Sequence, residues 1–304
     1  MRAVALVVGE ALVDVVRQRD GSLIEYAGGS AANVAVALSR LERPVMFATA
    51  FTDDRYGKIL RSHLDRAEVG YATDPNSIDH SSSAIATIGE DGSASYVFDL
   101  EWRLNPLTLI DAQPVAVHTS SLAAVLAPGC DDVLSILRQL SDIAVISYDV
   151  NVRPSITGTG AEVVAAVERV AAVADIVKAS DEDLAALYPA HSIAEAARHL
   201  LGLGAVIVVV TRGDEGALWM TTDAQGEVAA VSVVVADTIG AGDTFGAAFI
   251  DVLWTRGLVG PSGKAALAGL GAEAWTEICA YAARAAAINV SRPGADPPYK
   301  HELG

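Results

Sequence analysis

The stretch DTIGAGDTFGAAF, Asp237 to Phe249, follows the β-branched run VSVVVA and leads into an Ala-rich segment. A strand, a Gly-rich turn and a helix are expected in that order, which is the architecture of an anion hole. Gly240 and Gly242 leave room for a phosphate to approach the backbone. The N–H groups around Ala241 would point toward it with the positive end of the helix dipole. Asp243 falls in the first helical turn, where it is either a dipole partner or a group with chemistry of its own.

Outward from that turn, short β-branched runs alternate with longer Ala- and Leu-rich periodic segments. The pattern is that of an α/β fold with a mostly parallel central sheet and helices on both faces. Strands are expected at Ala3 to Val8, Val45 to Ala50, Val115 to His118, Ala144 to Asp149, Ile176 to Lys178 and Ala205 to Thr211. Helices are expected at Ala31 to Leu41, Tyr56 to Glu68, Asp131 to Leu140, Ala161 to Ala172, Ile193 to Leu201, Ala241 to Trp254 and Ala272 to Asn289. Residues 12–27 and 81–104 break the rhythm with alternation around Asp20-Gly21 and Asp91-Gly92, the signature of β-hairpins. No linker-like run divides the chain, so residues 1–304 read as a single domain into which these hairpins insert as a small β-sheet lid. Their apolar positions Ala84, Ala86 and Ile88 suit either a lid or a homodimer interface.

Composition narrows the partners. With 52% hydrophobic residues the chain can bury a large core, and 21 basic against 38 acidic residues leave a net charge of −17, an unfavourable field for nucleic acid. A small anion can still bind where backbone N–H groups and one or two cations are supplied locally. The start of the chain lacks a secretory cleavage pattern, and the uncharged stretch 112–130 is broken by Pro114, His118 and Pro128. Cys130 and Cys279 sit in no ligand spacing, so the chain reads as a cytoplasmic protein with no membrane segment and no disulfide framework. PSGKAA at Pro261 lacks the glycine and hydroxyl of a phosphate-binding loop, and the scattered histidines give no zinc spacing.

Near the N-terminus, GGSAANVAVALSRL from Gly28 places two glycines, a small polar residue and Asn33 at a helix start. On its own this suits a Gly turn with Ser30 as N-cap. Together with the GAGD turn it resembles the two signatures of the PfkB, or ribokinase-like, carbohydrate kinase family. Further elements fall in that family's order: GEALVD at Gly9, TDDRYG at Thr52, DVNVRPS at Asp149, VKASDED at Val177 and TRGDEG at Thr211. The resemblance covers nearly the whole chain and is closest to the bacterial fructokinase branch. It implies a three-layer ribokinase-like fold and an enzyme that uses Mg-ATP to phosphorylate a sugar hydroxyl.

The resemblance also implies roles. Asp243 would be the catalytic base, with Gly240, Ala241 and Gly242 as the anion hole and Arg153 as a cation on the phosphates. Asp14, Gly28, Gly29 and Asn33 match sugar-binding positions. Phe98 and Arg103, with Tyr96, are candidate lid contacts that would choose the sugar. Asn151, Lys178, Thr211, Gly213, Gly216 and Asn289 join Gly240 and Gly242 as nucleotide-binding candidates. The family's NxxE element reads Ser180 to Asp183 here, so Asp183 or Glu182 is left to act on magnesium, indirectly. Asp237, Ile239 and Gly294 match a monovalent-cation site, implying potassium. Fructose is the expected acceptor, with 2-keto-3-deoxygluconate, ribose or a nucleoside as alternatives. A sugar or nucleotide sensor without catalysis is the alternative of another class. A dinucleotide oxidoreductase is disfavoured, because VVGEALVD replaces GxGxxG after the first strand.

Overall fold

The computed structural model describes residues 1–18, 21–88 and 94–304, with backbone alone at 87, 88 and 94–96. The expected turn residues Asp20, Asp91 and Gly92 and the Tyr96 side chain lie outside the described residues. In chain order the strands are β1 (Arg2–Val8), β2 (Leu12–Arg17), β3 (Leu23–Gly28), β4 (Val45–Ala48), β5 (Gly70–Tyr71), β6 (Ser83–Ile88) and β7 (Ala94–Asp99). They continue with β8 (Ala112–Ser120), β9 (Val145–Asp149), β10 (Ile176–Ser180), β11 (Ile207–Thr211), β12 (Ala217–Met220) and β13 (Gln225–Val228).

Nine of these form the central sheet in the order β13-β12-β11-β10-β9-β8-β1-β4-β5. Pairing is parallel from β5 to β11 and antiparallel at β12 and β13. The strand β1 shows why the sheet is covered on both faces. Ala5 and Val7 pack with the helices Ser30–Arg40 and Ala241–Thr255, while Leu6 and Val8 pack with the helices Gly129–Leu140 and Ala161–Ala171 on the other side. A continuous apolar run buried on both faces is what a parallel sheet requires.

The second sheet has the order β3-β2-β6-β7 and joins both hairpins into one body. Val13 and Val15 bury one of its faces toward the helix Arg55–Arg66. Its other face carries Asp14, Tyr26, Ala84 and Phe98 in cross-strand register.

One expected strand is absent. The run Val231 to Ala236 is extended chain outside the ladder, with Val234 88% exposed. At its end the N–H groups of Ala236 and Asp237 donate to the Val290 carbonyl at 2.8 and 3.2 Å. β-branched composition reports a fit to a pleated surface, and no neighbouring strand supplies that surface here.

A buried carboxylate ties the C-terminal segment to this frame. Asp251, fully buried, accepts from Arg43 Nε at 2.6 Å, Tyr281 Oη at 2.6 Å and Lys300 Nζ at 2.7 Å. Replacing it with alanine strands two cations and a phenol without their acceptor. Asp251→Ala is expected to lower the unfolding free energy by about 2–4 kcal/mol in urea denaturation; a change below about 0.5 kcal/mol, the level of an ordinary surface substitution, would remove this network from the fold's stabilising contacts.

Candidate active site

The chain runs from β1 through the lid to β4 and β5 on one side, then returns to β8 on the other. The strand order therefore reverses between β1 and β8, where α/β sheets open a crevice at their carboxyl ends. A cleft of about 460 Å³ lies there, walled by Asp14, Asn33, Phe98, Asn151, Arg153 and the turn Thr238 to Asp243.

The helix Ala241–Thr255 starts at Gly240, whose φ of 74° is left-handed. A side chain there would be strained, and its Cβ would stand 2.7 Å from Ala295 Cβ. Asp243, only 6% exposed, lies in the first turn. Its Oδ1 accepts from Ser30 Oγ at 2.7 Å and its Oδ2 from Asn33 Nδ2 at 2.8 Å. Burial raises its pKa above the ordinary aspartate value, while those two donors and the charges of Lys178 and Arg153 pull it down. A buried carboxylate with two fixed donors, beside a helix N-terminus and facing a cleft, is equipped to accept a proton.

The lid supplies the facing wall. Asp14 approaches Gly28 so closely that a Cβ at Gly28 would meet Asp14 Oδ2 at 2.3 Å. Gly29, the N-cap of the helix Ser30–Arg40, places Ser30 and Asn33 on its first turn. Desolvation raises the Asp14 carboxyl and Arg153 lowers it. Phe98 lies across β6 from Asp14 and lines the cleft. Arg103 does not join them. Trp102 turns inward and donates its indole N–H to the Ala123 carbonyl at 3.2 Å, so its neighbour Arg103 is exposed, away from the cleft lining.

Behind the turn lies a charged layer set by strand register. Lys178 on β10 and Asp149 on β9 are paired residues, and Lys178 Nζ donates to Asp149 Oδ2 at 2.8 Å. The lysine is buried, not solvated, and stands 3.1 Å from where a Cβ on Gly242 would lie. Burial pushes Asp149 up to about 6 against the pull of Lys178, and its Oδ1 has no partner among the described residues. Asp183 accepts from the N–H groups of Val152 and Ser180, closing a capping box, while Glu182 is exposed. Asn151 donates to Ser30 Oγ at 3.0 Å and holds Arg153 through its Oδ1.

Asn289 is fully buried behind the turn. Its Nδ2 donates to the Ile239 carbonyl at 2.8 Å and its Oδ1 accepts from Thr244 Oγ1 at 3.3 Å, so it shapes the loop without reaching the cleft. Asp237 accepts from Ile239 N–H at 3.0 Å and Gly294 N–H at 2.9 Å, bonds that hold its carboxyl below the ordinary range. Thr211 ends β11, paired to Ser180, and Gly213 and Gly216 lie in the β11–β12 connection, all three away from the lining of the cleft around Asp243.

Two residues at the site, one read from sequence as a helix cap and one given no role, were missed. Ser30 is not the N-cap, since its hydroxyl is committed to Asp243. Glu10 is buried at the end of β1, where Oε1 accepts from Ser30 N–H at 3.1 Å and Oε2 from Ala123 N–H at 3.2 Å. Desolvation carries its pKa to about 7. A carboxylate directly after an apolar parallel strand, at the switch point of the sheet, was the available signal.

Comparison with known proteins bears on the family and the fold. A fructokinase of Rhizobium leguminosarum bv. trifolii is 36% identical over 254 residues, covering 80% of this chain and 77% of its own. The structure of a Xylella fastidiosa fructokinase with bound ATP superposes with a TM-score of 0.82 at 25% identity, over 99% of this chain and 97% of that one. A double-mutant fructokinase of Vibrio cholerae O395, in its fructose, ADP and potassium ion bound form, gives 0.75 at 25% identity over 96% and 94%. The model of the pfkB family of carbohydrate kinases matches residues 3–302, and the chain belongs to that family.

Proposed function

We propose that this protein is an ATP-dependent sugar kinase whose acceptor is D-fructose, and that Asp243 is its base. The observation that carries the reading is the Asp243 carboxylate, buried between the GAGD turn and the lid wall with both oxygens held. The sugar hydroxyl gives its proton to Asp243 as its oxygen bonds to the γ-phosphorus of ATP and the bond to the departing ADP oxygen breaks. The N–H groups of Gly240, Ala241 and Gly242 would stabilise charge on the transferring phosphoryl group, with Arg153 and Lys178 as the nearby cations. Asp14 and Asn33 would take sugar hydroxyls, with Gly28 and Gly29 allowing close approach. Thr211, Gly213 and Gly216 would meet the rest of the nucleotide.

Magnesium, which neutralises the phosphates when bound, suits Asp149 Oδ1 and the carboxylate of Asp183 or Glu182, reached through water as is common for this ion. The Asp237 carboxylate, the Ile239 carbonyl and the Gly294 backbone supply hard oxygen donors for potassium beside the turn. The relatives named as fructokinases favour fructose. Arg103 is exposed and outside the cleft lining, which removes one candidate partner for the carboxylate of 2-keto-3-deoxygluconate. On the lid, the face shared by Asp14 and Phe98 continues into Tyr26, which is 55% exposed, so that two lids could cover one another as a dimer.

ADP release measured across fructose, 2-keto-3-deoxygluconate, ribose, tagatose and adenosine should single out fructose; a stronger response to another sugar would displace that assignment. Asp243→Asn should lower kcat by about 10²–10⁴-fold while sugar affinity is kept, and a drop of less than tenfold would remove the base role. Because the base must be ionised and burial raises its pKa, kcat should fall with decreasing pH on a limb above the ordinary aspartate value of 3.8. Potassium added to a buffer free of sodium and potassium should raise turnover; an unchanged rate would exclude the cation site.

A further inference from the structure

We infer that Ser30 is a positioning residue for Asp243, a role that rests on the base assignment above. Its hydroxyl has three neighbours: Asp243 Oδ1 at 2.7 Å, Ser120 Oγ at 2.9 Å and Asn151 Nδ2 at 3.0 Å. The amide nitrogen of Asn151 only donates and an ionised carboxylate only accepts, so the one proton of Ser30 goes to Asp243. Its two lone pairs are left for Asn151 and Ser120. Every valence of the hydroxyl is then used.

The backbone of Ser30 is fixed as firmly. Its N–H donates to Glu10 Oε1, and the other oxygen of Glu10 is bound to Ala123 N–H, so β1 and the segment after β8 hold the helix start from two sides. Asn33 differs. Both residues line the cleft, but Ser30 is buried while Asn33, one turn later on the same helix face, is only partly buried, so that a sugar can recruit its amide. The two donors therefore divide the carboxylate. Ser30 keeps Oδ1 in place, and Oδ2 is the oxygen that turns from Asn33 to the substrate hydroxyl. A hydrogen bond to the ionised form also lowers the pKa, so Ser30 keeps the base charged at a pH where burial alone would favour protonation.

Ser30→Ala should lower kcat about ten- to a hundredfold, the range for losing one hydrogen bond to a charged group, and leave KM for the sugar within about threefold. The acid limb of kcat should move up by about one pH unit. Ser30→Cys keeps the volume with a weak donor and should fall between the two; it serves if the alanine variant does not fold. Ser120→Ala, which removes a neighbour of Ser30 without touching the carboxylate, should change kcat by less than about threefold. The inference is overturned by a Ser30→Ala enzyme with the parental kcat and acid limb, or by an equal loss in Ser120→Ala. An NMR titration of the Asp243 carboxyl carbon reads the same pKa rise without turnover. It therefore separates failure of the Ser30 role from failure of Asp243 as base, which the Asp243→Asn enzyme tests by itself.

Discussion

The structure turns on keeping one carboxylate ionised inside an acidic protein. Moving a charge from water to a protein interior is costly unless hydrogen bonds and opposite charge replace the lost hydration. Asp243 receives Ser30 and Asn33 as donors, the positive end of its own helix, and the fields of Lys178 and Arg153. Those five sources come from four separate places in the chain, since Ser30 and Asn33 share one helix turn. The helices Ser30–Arg40 and Ala241–Thr255 must therefore pack with their N-termini converging, as they do at the carboxyl ends of β1 and β8. The net charge of −17 sharpens this demand, since only a local concentration of N–H groups and cations lets an anionic substrate approach.

The same arrangement works against stability. Burial raises Asp243, carries Asp149 to about 6 and carries Glu10 to about 7, each above its value in an unfolded chain. The native state then holds more protons than the unfolded state between the two values of each group. The contribution of such a group to stability is complete below its unfolded pKa and is lost as pH rises through its folded pKa. For Glu10 that window runs from about 4.5 to about 7, so the site is held at neutral pH against an electrostatic cost that the rest of the fold offsets. Concentrating this cost where substrate binds is the usual relation between a preorganised site and its scaffold.

The sequence carried the local parts of this design well and the distant parts poorly. The GAGD turn, the GG turn and the alternation of strand and helix are each complete within a dozen residues, so composition and spacing suffice to place them. The pairing of Lys178 with Asp149 was hidden, because it depends on the register of β9 and β10 rather than on either strand alone. Ser30 was hidden in the same way, since its partner lies 213 residues away. The run VSVVVA misled for a related reason: strand character belongs to a neighbour as much as to a segment, and among the described residues no strand pairs with this one. Arg103 was one residue out of phase with the inward Trp102, and Asn289 lay one layer behind the cleft.

The lid shows how register converts into choice of substrate. Asp14, Ala84 and Phe98 are in line across three strands, on the face toward the cleft. A carboxylate, a methyl group and an aromatic ring therefore form one row along the cleft wall. Because side chains alternate across a strand, a shift of one residue in any of the three strands would replace this row with the face that carries Val13. On β2 that opposite face, Val13 and Val15, is buried toward the helix Arg55–Arg66, which pins the register of this strand. The packing of Val13 and Val15 thus also sets which side chains of this sheet wall the cleft, and at Ala84 and Phe98 that wall can vary in size and polarity without moving the strands.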